Sequence, residues 1–231
     1  MLSIKNLNQY YGESHTLWDI NMDIPAGSCI CLMGRNGVGK TTLLKTIMGL
    51  EKARSGVVQY GDDDLLVKAA EARAGLGIGY VPQGREIFPQ LTVEENLRIG
   101  LTTIKSATKQ VPERIFELFP VLKQMLRRRG GDLSGGQQQQ LAIGRALVLN
   151  PKILILDEPT EGIQPNIVQQ IGDIIIQLNA EEKITILLVE QKLPFARRVG
   201  KHFVILDRGS NVASGSIADL SDELVHQYLT V

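Results

Sequence analysis

The chain has 231 residues, of which 43% are hydrophobic and 22% are charged, a balance that predicts a single domain, or a domain with a subdomain, around a sizeable core. Lys plus Arg and Asp plus Glu both number 25, so the chain lacks the overall basic field that favours nucleic acid, and we expect no nucleic-acid partner. No apolar run approaches the roughly 20 residues of a membrane span and no signal peptide opens the chain, which predicts a soluble, cytoplasmic protein.

Three strand-like segments open the chain: LSIKNLNQYY, TLWDINMDI and, after the Pro25-Ala26-Gly27 turn, SCICLM. Cys29 and Cys31 alternate on the third segment and so share one face of a strand. They are poorly placed to bridge each other, and C-x-C alone is no metal site. We interpret them as small core hydrophobes in a reducing compartment.

The segment LMGRNGVGKTTLLKTIMGL, residues 32–50, predicts a strand, a glycine-rich loop and a helix over residues 41–49. Its G-x-x-x-x-G-K-[ST] pattern turns successive backbone N–H groups inward, and the helix start adds unpaired amides. Lys40 is expected to reach the β- and γ-phosphates, and the Thr41 hydroxyl to ligate Mg²⁺. The loop therefore predicts a bound nucleoside triphosphate with magnesium. The predicted binding residues are Gly34, Arg35, Asn36, Gly37, Val38, Gly39, Lys40, Thr41 and Thr42.

The middle of the chain changes from strands to helices. SGVVQY and LGIGYVPQ are strand-like, with a charged loop and a short helix between them, and a helical pattern follows from about Gly84 to Gly131. Pro120 predicts two short helices or a kink. A further helix is predicted over 136–149, before Asn150-Pro151. We interpret residues 84–150 as a helical subdomain inserted into the fold.

The last third alternates buried strands with helices. KILILDEPT and ITILLVEQ are strands of the buried parallel kind, an amphipathic helix is predicted over 166–179, and HFVILDRGSNVASG resembles a hairpin. This alternation around a phosphate loop predicts an α/β fold with a mostly parallel sheet.

Two adjacent carboxylates, Asp157 and Glu158, follow the first of these strands. In a parallel sheet this end of the strand is where ligands bind. We expect Asp157 to hold the magnesium shell, which leaves Glu158 to polarise an attacking water. A solvated strand-to-loop turn is the alternative, and the apolar run before the pair disfavours it.

The most specific motif is LSGGQ, Leu133 to Gln137. Ser134 is a good N-cap, and Gly135 and Gly136 expose backbone amides at the start of the next helix, which predicts a second anion site. A GTP switch would need a base-reading Asn-Lys-x-Asp, which the chain lacks, and would leave LSGGQ unexplained.

LSGGQ together with the phosphate loop, YVPQ and LDEPT resembles the nucleotide-binding cassette of ABC transporters, in the order typical of the family and over essentially all 231 residues. The resemblance implies one ABC ATPase domain, residues 1–231, with an antiparallel N-terminal β part. It implies ATP as the nucleotide and a head-to-tail dimer in which each LSGGQ caps the ATP of the other subunit. The capping residues would be Ser134, Gly135, Gly136 and Gln137.

Two further assignments depend on the resemblance alone. By position, Tyr11 resembles the aromatic residue that stacks on adenine, although a lone tyrosine there is as readily a core or surface residue. Gln83 resembles the glutamine near the metal and the attacking water, at the junction with the helical subdomain, which would receive the coupling helix of the membrane partner. The metal ligands implied are Thr41, Gln83 and Asp157.

Two positions depart from the family pattern. Gln191 stands where a histidine usually contacts the γ-phosphate, and its amide can donate a hydrogen bond but cannot titrate. Gln164 stands where an aspartate usually faces the partner site. We expect slower or asymmetric hydrolysis, with Gln191 still sensing the γ-phosphate. The catalytic set implied is Glu158, Gln83, Gln191 and Lys40.

The cargo is addressed by resemblance only. GRNGVGK, QGREIFP and TEGIQP are similar to the importer branch that serves branched-chain amino acids and urea, with the urea importer's second ATPase subunit the nearer match. Urea is therefore the predicted cargo, and branched-chain amino acids are the alternative. The resemblance implies two membrane permeases, a second, different ATPase or another copy of this chain, and, indirectly, an extracytoplasmic binding protein. The chain would then be peripheral on the inner face of the cell membrane. A soluble cassette without a transport role would be signalled by coiled-coil insertions or a second cassette, and the chain has neither.

Overall fold

The computed structural model describes residues 1–102 and 110–230. The strands are β1 Leu2–Tyr11, β2 Ser14–Ile24, β3 Cys29–Met33, β4 Ala53–Tyr60, β5 Asp63–Asp64, β6 Ile78–Val81, β7 Ile153–Asp157, β8 Thr185–Val189, β9 His202–Asp207 and β10 Ser210–Ser216. The helices are α1 Lys40–Met48, α2 Ala70–Gly75, α3 Val93–Leu101, α4 Glu113–Leu118, α5 Pro120–Gln124, α6 Gly135–Leu147, α7 Pro165–Ala180, α8 Leu193–Val199 and α9 Asp222–Tyr228. None of these described helices is long and apolar enough to cross a membrane.

The strands form two sheets. A six-stranded sheet has the order β10-β9-β3-β8-β7-β6, in which only the β9–β10 hairpin is antiparallel. A four-stranded antiparallel sheet has the order β2-β1-β4-β5. The predicted α/β fold with a mostly parallel sheet and an antiparallel N-terminal part is confirmed.

The centre of the larger sheet is fully buried. Every residue of β3, β7 and β8 is buried, as their unbroken apolar sequences require for strands covered on both faces. Because β8 pairs in parallel with both β3 and β7, the carboxyl ends of the three strands lie side by side. This edge carries the phosphate loop and the two carboxylates.

The helices between β6 and β7 pack on one another. Gly144 of α6 allows this approach, since a Cβ there would lie 3.3 Å from side-chain atoms of Ile115, Leu122 and Leu97. As predicted from Pro120, α4 and α5 are two short helices. The helical pattern expected from Gly84 begins later, because residues 84–91 form turns and Thr92 caps α3. Residues 103–109 of the predicted subdomain lie outside the described residues, and its boundaries, 84–150, stay a prediction.

The cysteines are both free and buried on β3. Burial raises the pKa of the Cys29 thiol to about 12, so this thiol stays protonated and unreactive near neutral pH. They act as small core residues, as interpreted from the sequence.

The helix that follows the phosphate loop is anchored at its far end by a buried arginine. Arg73 is 2% exposed; its Nη1 donates to the carbonyls of Thr46 (3.1 Å) and Ile47, and its Nη2 donates to that of Leu65 (2.6 Å). The Thr46 and Ile47 carbonyls lie at the negative end of α1, where the last carbonyls of a helix lack i+4 partners within it. Gly49, which ends α1 at φ 73°, has no room for a Cβ, which would lie 2.5 Å from the guanidinium.

We expect Arg73→Met to lower the free energy of unfolding by about 2–4 kcal/mol, because it removes the described donor of the buried Ile47 carbonyl and the second donors of the Thr46 and Leu65 carbonyls. Urea unfolding of the purified chain measures this, with Arg54→Met, an exposed arginine on β4, as the control. Equal stability of the two variants would contradict the anchoring role of Arg73.

Candidate active site

The phosphate loop links β3 to α1 and depends on its glycines. A Cβ on Gly34, at φ 144°, would lie 2.4 Å from the Leu206 carbonyl oxygen, so only glycine fits. Gly39 caps α1 at φ 107° in the left-handed region. The first N–H groups of α1 have no partner within the helix, and with the dipole they favour an anion.

Lys40 is the first residue of α1, directly after this loop, and is 5% exposed. Its Nζ donates to the carbonyl oxygens of Gly34 and Arg35, both at 2.8 Å. Burial lowers the pKa of Lys40, while the nearby Glu158 and Asp157 carboxylates raise it. The ammonium is thus held where a phosphate on the loop would meet it.

A cleft of about 610 Å³ opens above the loop, at the carboxyl edge of the parallel sheet. It brings together residues from four separate parts of the sequence. Its lining includes Asn36, Gly37, Gly39, Lys40, Thr41, Thr42, Gln83, Glu158, Thr160, Glu161, Glu190 and Gln191.

Asp157 is a residue of the site whose ionised form is disfavoured by burial. It is 1% exposed, and neither carboxylate oxygen has a hydrogen-bond partner among the described residues. Burial raises its pKa to about 6; the nearby Thr41 hydroxyl, which does not reach normal hydrogen-bond geometry, lowers it only in part. A buried carboxylate without donors beside a hydroxyl fits a hard cation such as Mg²⁺.

Glu158 is held between two glutamine amides. Gln83 Nε2 donates to Glu158 Oε2 at 3.2 Å, and Gln191 Nε2 donates to Glu158 Oε1 and to Asn36 Oδ1, the latter at 2.6 Å. Glu158 has φ 48°, and its N–H donates to the Val189 carbonyl at 3.0 Å. After this turn the Glu158 side chain lines the cleft, where a carboxylate is a candidate general base.

Gln83 joins this network from the other side of the cleft. Its Nε2 also donates to Glu161 Oε2 at 3.0 Å, which leaves its amide oxygen without a described hydrogen bond. The structure thus brings Gln83, Gln191 and Glu158 together, as the sequence predicted, although their roles remain predictions.

The LSGGQ segment caps α6 but stands apart from the cleft. Ser134 Oγ accepts from the Gln137 N–H at 3.4 Å, and Gln137 Oε1 accepts from the Ser134 N–H at 2.9 Å, a reciprocal capping box. Ser134 is exposed, and residues 134–137 are absent from the cleft lining over the part of the chain that the structure describes. One chain therefore carries two separate glycine-rich helix starts, at α1 and α6, and anion binding at each stays a prediction.

Two other predicted residues, Tyr11 and Gln164, lie outside the lining of the cleft. Tyr11 is 44% exposed, and its hydroxyl is 3.5 Å from Thr42 Oγ1, so its ring is accessible beside the phosphate loop. Gln164 is the N-cap of α7, without a side-chain capping bond, and does not line the cleft.

Sequence reasoning missed Glu190, a carboxylate that lies 2% exposed at the end of β8 and lines the cleft. Its position directly after the apolar LLV run was the available signal, because a charge at the buried end of a strand needs partners.

The pKa of Asp157 gives a testable pH dependence. Above about pH 6 the ionised, buried carboxylate costs free energy that the unfolded chain, with its ordinary value of 3.8, does not carry. We expect Asp157→Asn to raise the free energy of unfolding by about 1–3 kcal/mol near pH 8, with the gain shrinking as the pH falls from about 6 to 4. Urea unfolding at about pH 8 and about pH 4 measures this, with Asp173→Asn, an exposed aspartate on α7, as the control. A gain that does not depend on pH would contradict it.

Comparisons with known proteins agree with this geometry. A sequence profile described as ABC transporter matches residues 17–161. The chain is 41% identical to the high-affinity branched-chain amino acid transport ATP-binding protein BraG of Pseudomonas aeruginosa, over 90% of each chain. It is 38% identical to the probable branched-chain amino acid transport ATP-binding protein LivF of Archaeoglobus fulgidus, over 95% of this chain and 94% of the relative.

Solved structures give the same assignment. The ADP conformation of MJ1267, an ATP-binding cassette of an ABC transporter, is similar with a TM-score of 0.83 and 30% identity over 98% of this chain and 97% of that one. The dimeric post-hydrolysis state of the cassette MJ0796 with ADP and Pi has a TM-score of 0.85 and 26% identity over 94% and 99%. The chain therefore belongs to the ABC transporter family, as an ATP-binding cassette ATPase whose hydrolysis of ATP is coupled to transport.

Proposed function

We propose that this chain is an ATPase subunit of an importer for branched-chain amino acids. The proposed cargo is supported by near-full-length similarity to two proteins named for branched-chain amino acid transport, one bacterial and one archaeal. Urea, which the short segments GRNGVGK, QGREIFP and TEGIQP favoured, is less well supported than its alternative. No residue of the described cleft addresses the cargo, so the proposed cargo depends on the similarity to these two relatives.

We infer an assembly of two membrane permeases, two ATPase subunits and, indirectly, an extracytoplasmic binding protein. The chain would lie peripherally on the cytoplasmic face of the membrane. Gln191 cannot titrate, unlike the histidine that is usual at this position. A second, different ATPase that keeps this histidine is therefore favoured over a second copy of this chain. The predicted subdomain, residues 84–150, would receive the coupling helix of a permease.

ATP would be enclosed between two subunits. Lys40 and the backbone amides of residues 34–42 would hold the phosphates, and Tyr11 would stack on adenine. The LSGGQ start of α6 would complete the site of the partner, since within its own chain it lies apart from the cleft. The similar cassette MJ0796 has been solved as a dimer with ADP and Pi bound, which supports a dimeric arrangement for this chain.

The residues present fit magnesium. Asp157 offers two unpartnered oxygens, the Thr41 hydroxyl is adjacent, and the Gln83 amide oxygen is without a described hydrogen bond. These three would hold Mg²⁺, which when bound would neutralise charge on the β- and γ-phosphates.

Glu158 would orient and deprotonate the attacking water. The Gln83 and Gln191 amides fix its carboxylate from two sides, and Gln191, which also reaches Asn36 on the phosphate loop, would sense the γ-phosphate. Lys40 would stabilise the transferred phosphoryl group.

We expect Glu158→Gln to lower ATP hydrolysis at this chain's own site at least about 100-fold, because the amide cannot accept the proton of the water. ATP binding should persist, and the closed dimer should accumulate. Turnover of the assembled complex and binding of a fluorescent ATP analogue measure this. Glu161→Gln, the same charge change in the same cleft, is the control and should cost far less. Equal turnover of wild type and Glu158→Gln at this site would remove Glu158 from the role.

The cargo is tested on the complex reconstituted in proteoliposomes with its permeases and binding protein. Leucine, isoleucine or valine should stimulate ATP hydrolysis severalfold, whereas urea should not. Stimulation by urea without stimulation by these amino acids would overturn the cargo assignment and leave the ATPase assignment intact.

A further inference from the structure

The buried carboxylate of Glu190 accepts its described hydrogen bonds from backbone and side-chain groups of neighbouring loops. Its Oε1 accepts from the N–H groups of Gln191 and Lys192, both at 2.9 Å, and its Oε2 accepts from the Thr160 hydroxyl at 2.8 Å. Burial raises its pKa, and these donors favour the charged form and oppose the shift. Three donors to one buried carboxylate define a single geometry.

The contacts of Glu190 join two loops of the site. Gln191 and Lys192 follow β8, whereas Thr160 lies two residues after Glu158 and is itself 1% exposed. Lys192 Nζ adds a second connection by donating to the Thr160 carbonyl at 2.8 Å. The turn after β8 and the loop after β7 are therefore held together in the lining of the cleft.

The position of the Gln191 amide depends on this fastening. Its Nε2 donates both to Asn36 Oδ1 and to Glu158 Oε1, so a shift of its backbone would break either contact. Glu190 accepts the backbone N–H of Gln191 and thereby orients the backbone of that residue. This orientation sets the direction in which the Gln191 side chain projects from the turn.

We propose that Glu190 is a positioning residue for ATP hydrolysis: it fixes the turn that carries Gln191 to the loop that carries Glu158 and Thr160. Glu190 acts through Gln191 and does not contact the reacting atoms. The inference rests on the proposed role of Gln191 and extends it to a residue that no motif identifies. A residue that only stabilised the fold would lower activity whether or not the Gln191 amide is present.

A double-mutant cycle separates these two roles. Glu190→Ala, Gln191→Ala and the double variant are assembled with the permeases and the partner ATPase, and kcat and the KM for ATP are measured. We expect each single variant to lower kcat about tenfold or more with less than about a threefold change in KM, and the double variant to lie within about twofold of Gln191→Ala.

A conservative variant and a control variant test whether the loss of kcat in Glu190→Ala comes from its lost hydrogen bonds. Glu190→Gln should recover kcat to within about threefold of wild type, because its amide oxygen can accept both N–H groups and its amide nitrogen can face the Thr160 hydroxyl. Glu181→Ala, an exposed carboxylate on the same α7–β8 connection, should leave kcat unchanged. If Glu190→Ala does not fold, Thr160→Val removes only the hydroxyl donor and should again lower kcat, without further loss in the Gln191→Ala background.

Equal fold-losses from Glu190→Ala, or from Thr160→Val, in the wild-type and Gln191→Ala backgrounds would overturn the inference while leaving the role of Gln191 intact. Wild-type kcat in Glu190→Ala would overturn it as well. Wild-type kcat in Gln191→Ala would instead overturn the proposed role of Gln191, and with it the route by which Glu190 acts.

Discussion

The parallel hydrogen bonding of β8 to both β3 and β7 is the constraint on which the site depends. It places the phosphate loop after β3, the carboxylates at the end of β7 and the Glu190–Gln191 turn after β8 on one edge of one sheet. All three strands are buried on both faces, so the register is fixed by packing as well as by the hydrogen-bond ladder. Polar and charged side chains from distant parts of the sequence thereby line a single cleft.

Three ionisable groups are almost fully buried at this edge, and each meets a different environment. The ammonium of Lys40 is surrounded by carbonyl oxygens, and the carboxylate of Glu190 by three donors, so both are compensated within the chain. Asp157 has no such partners among the described residues and keeps a raised pKa. A buried carboxylate without compensating partners opposes the most stable packing when it is ionised, and such groups are candidates for a functional role.

The fold and much of the site could be predicted because the signals are local. The apolar runs CICLM, ILILD and TILLV can only be buried strands, Pro120 divides a helix, and Ser134 with Gln137 is a capping box that four residues specify. Arg73 and Glu190 escaped prediction because a charged residue is ordinarily exposed, and the groups that compensate them come from other segments of the chain. The short helices α8 and α9 carry too few turns for periodicity to reveal. The cargo could not be predicted in the same way, because no residue of the described cleft addresses it, and the relatives support branched-chain amino acids better than the urea that the short segments favoured.

The central claim is that two incomplete anion sites on each chain are completed by another subunit. A cryo-electron microscopy structure of the ATP-bound Glu158→Gln complex tests it most directly. We predict the Ser134 hydroxyl and the Gly135 and Gly136 amides within about 3 Å of the phosphates of ATP held by the opposing ATPase subunit. A closed, ATP-loaded complex in which this segment instead faces solvent or its own chain would contradict the claim.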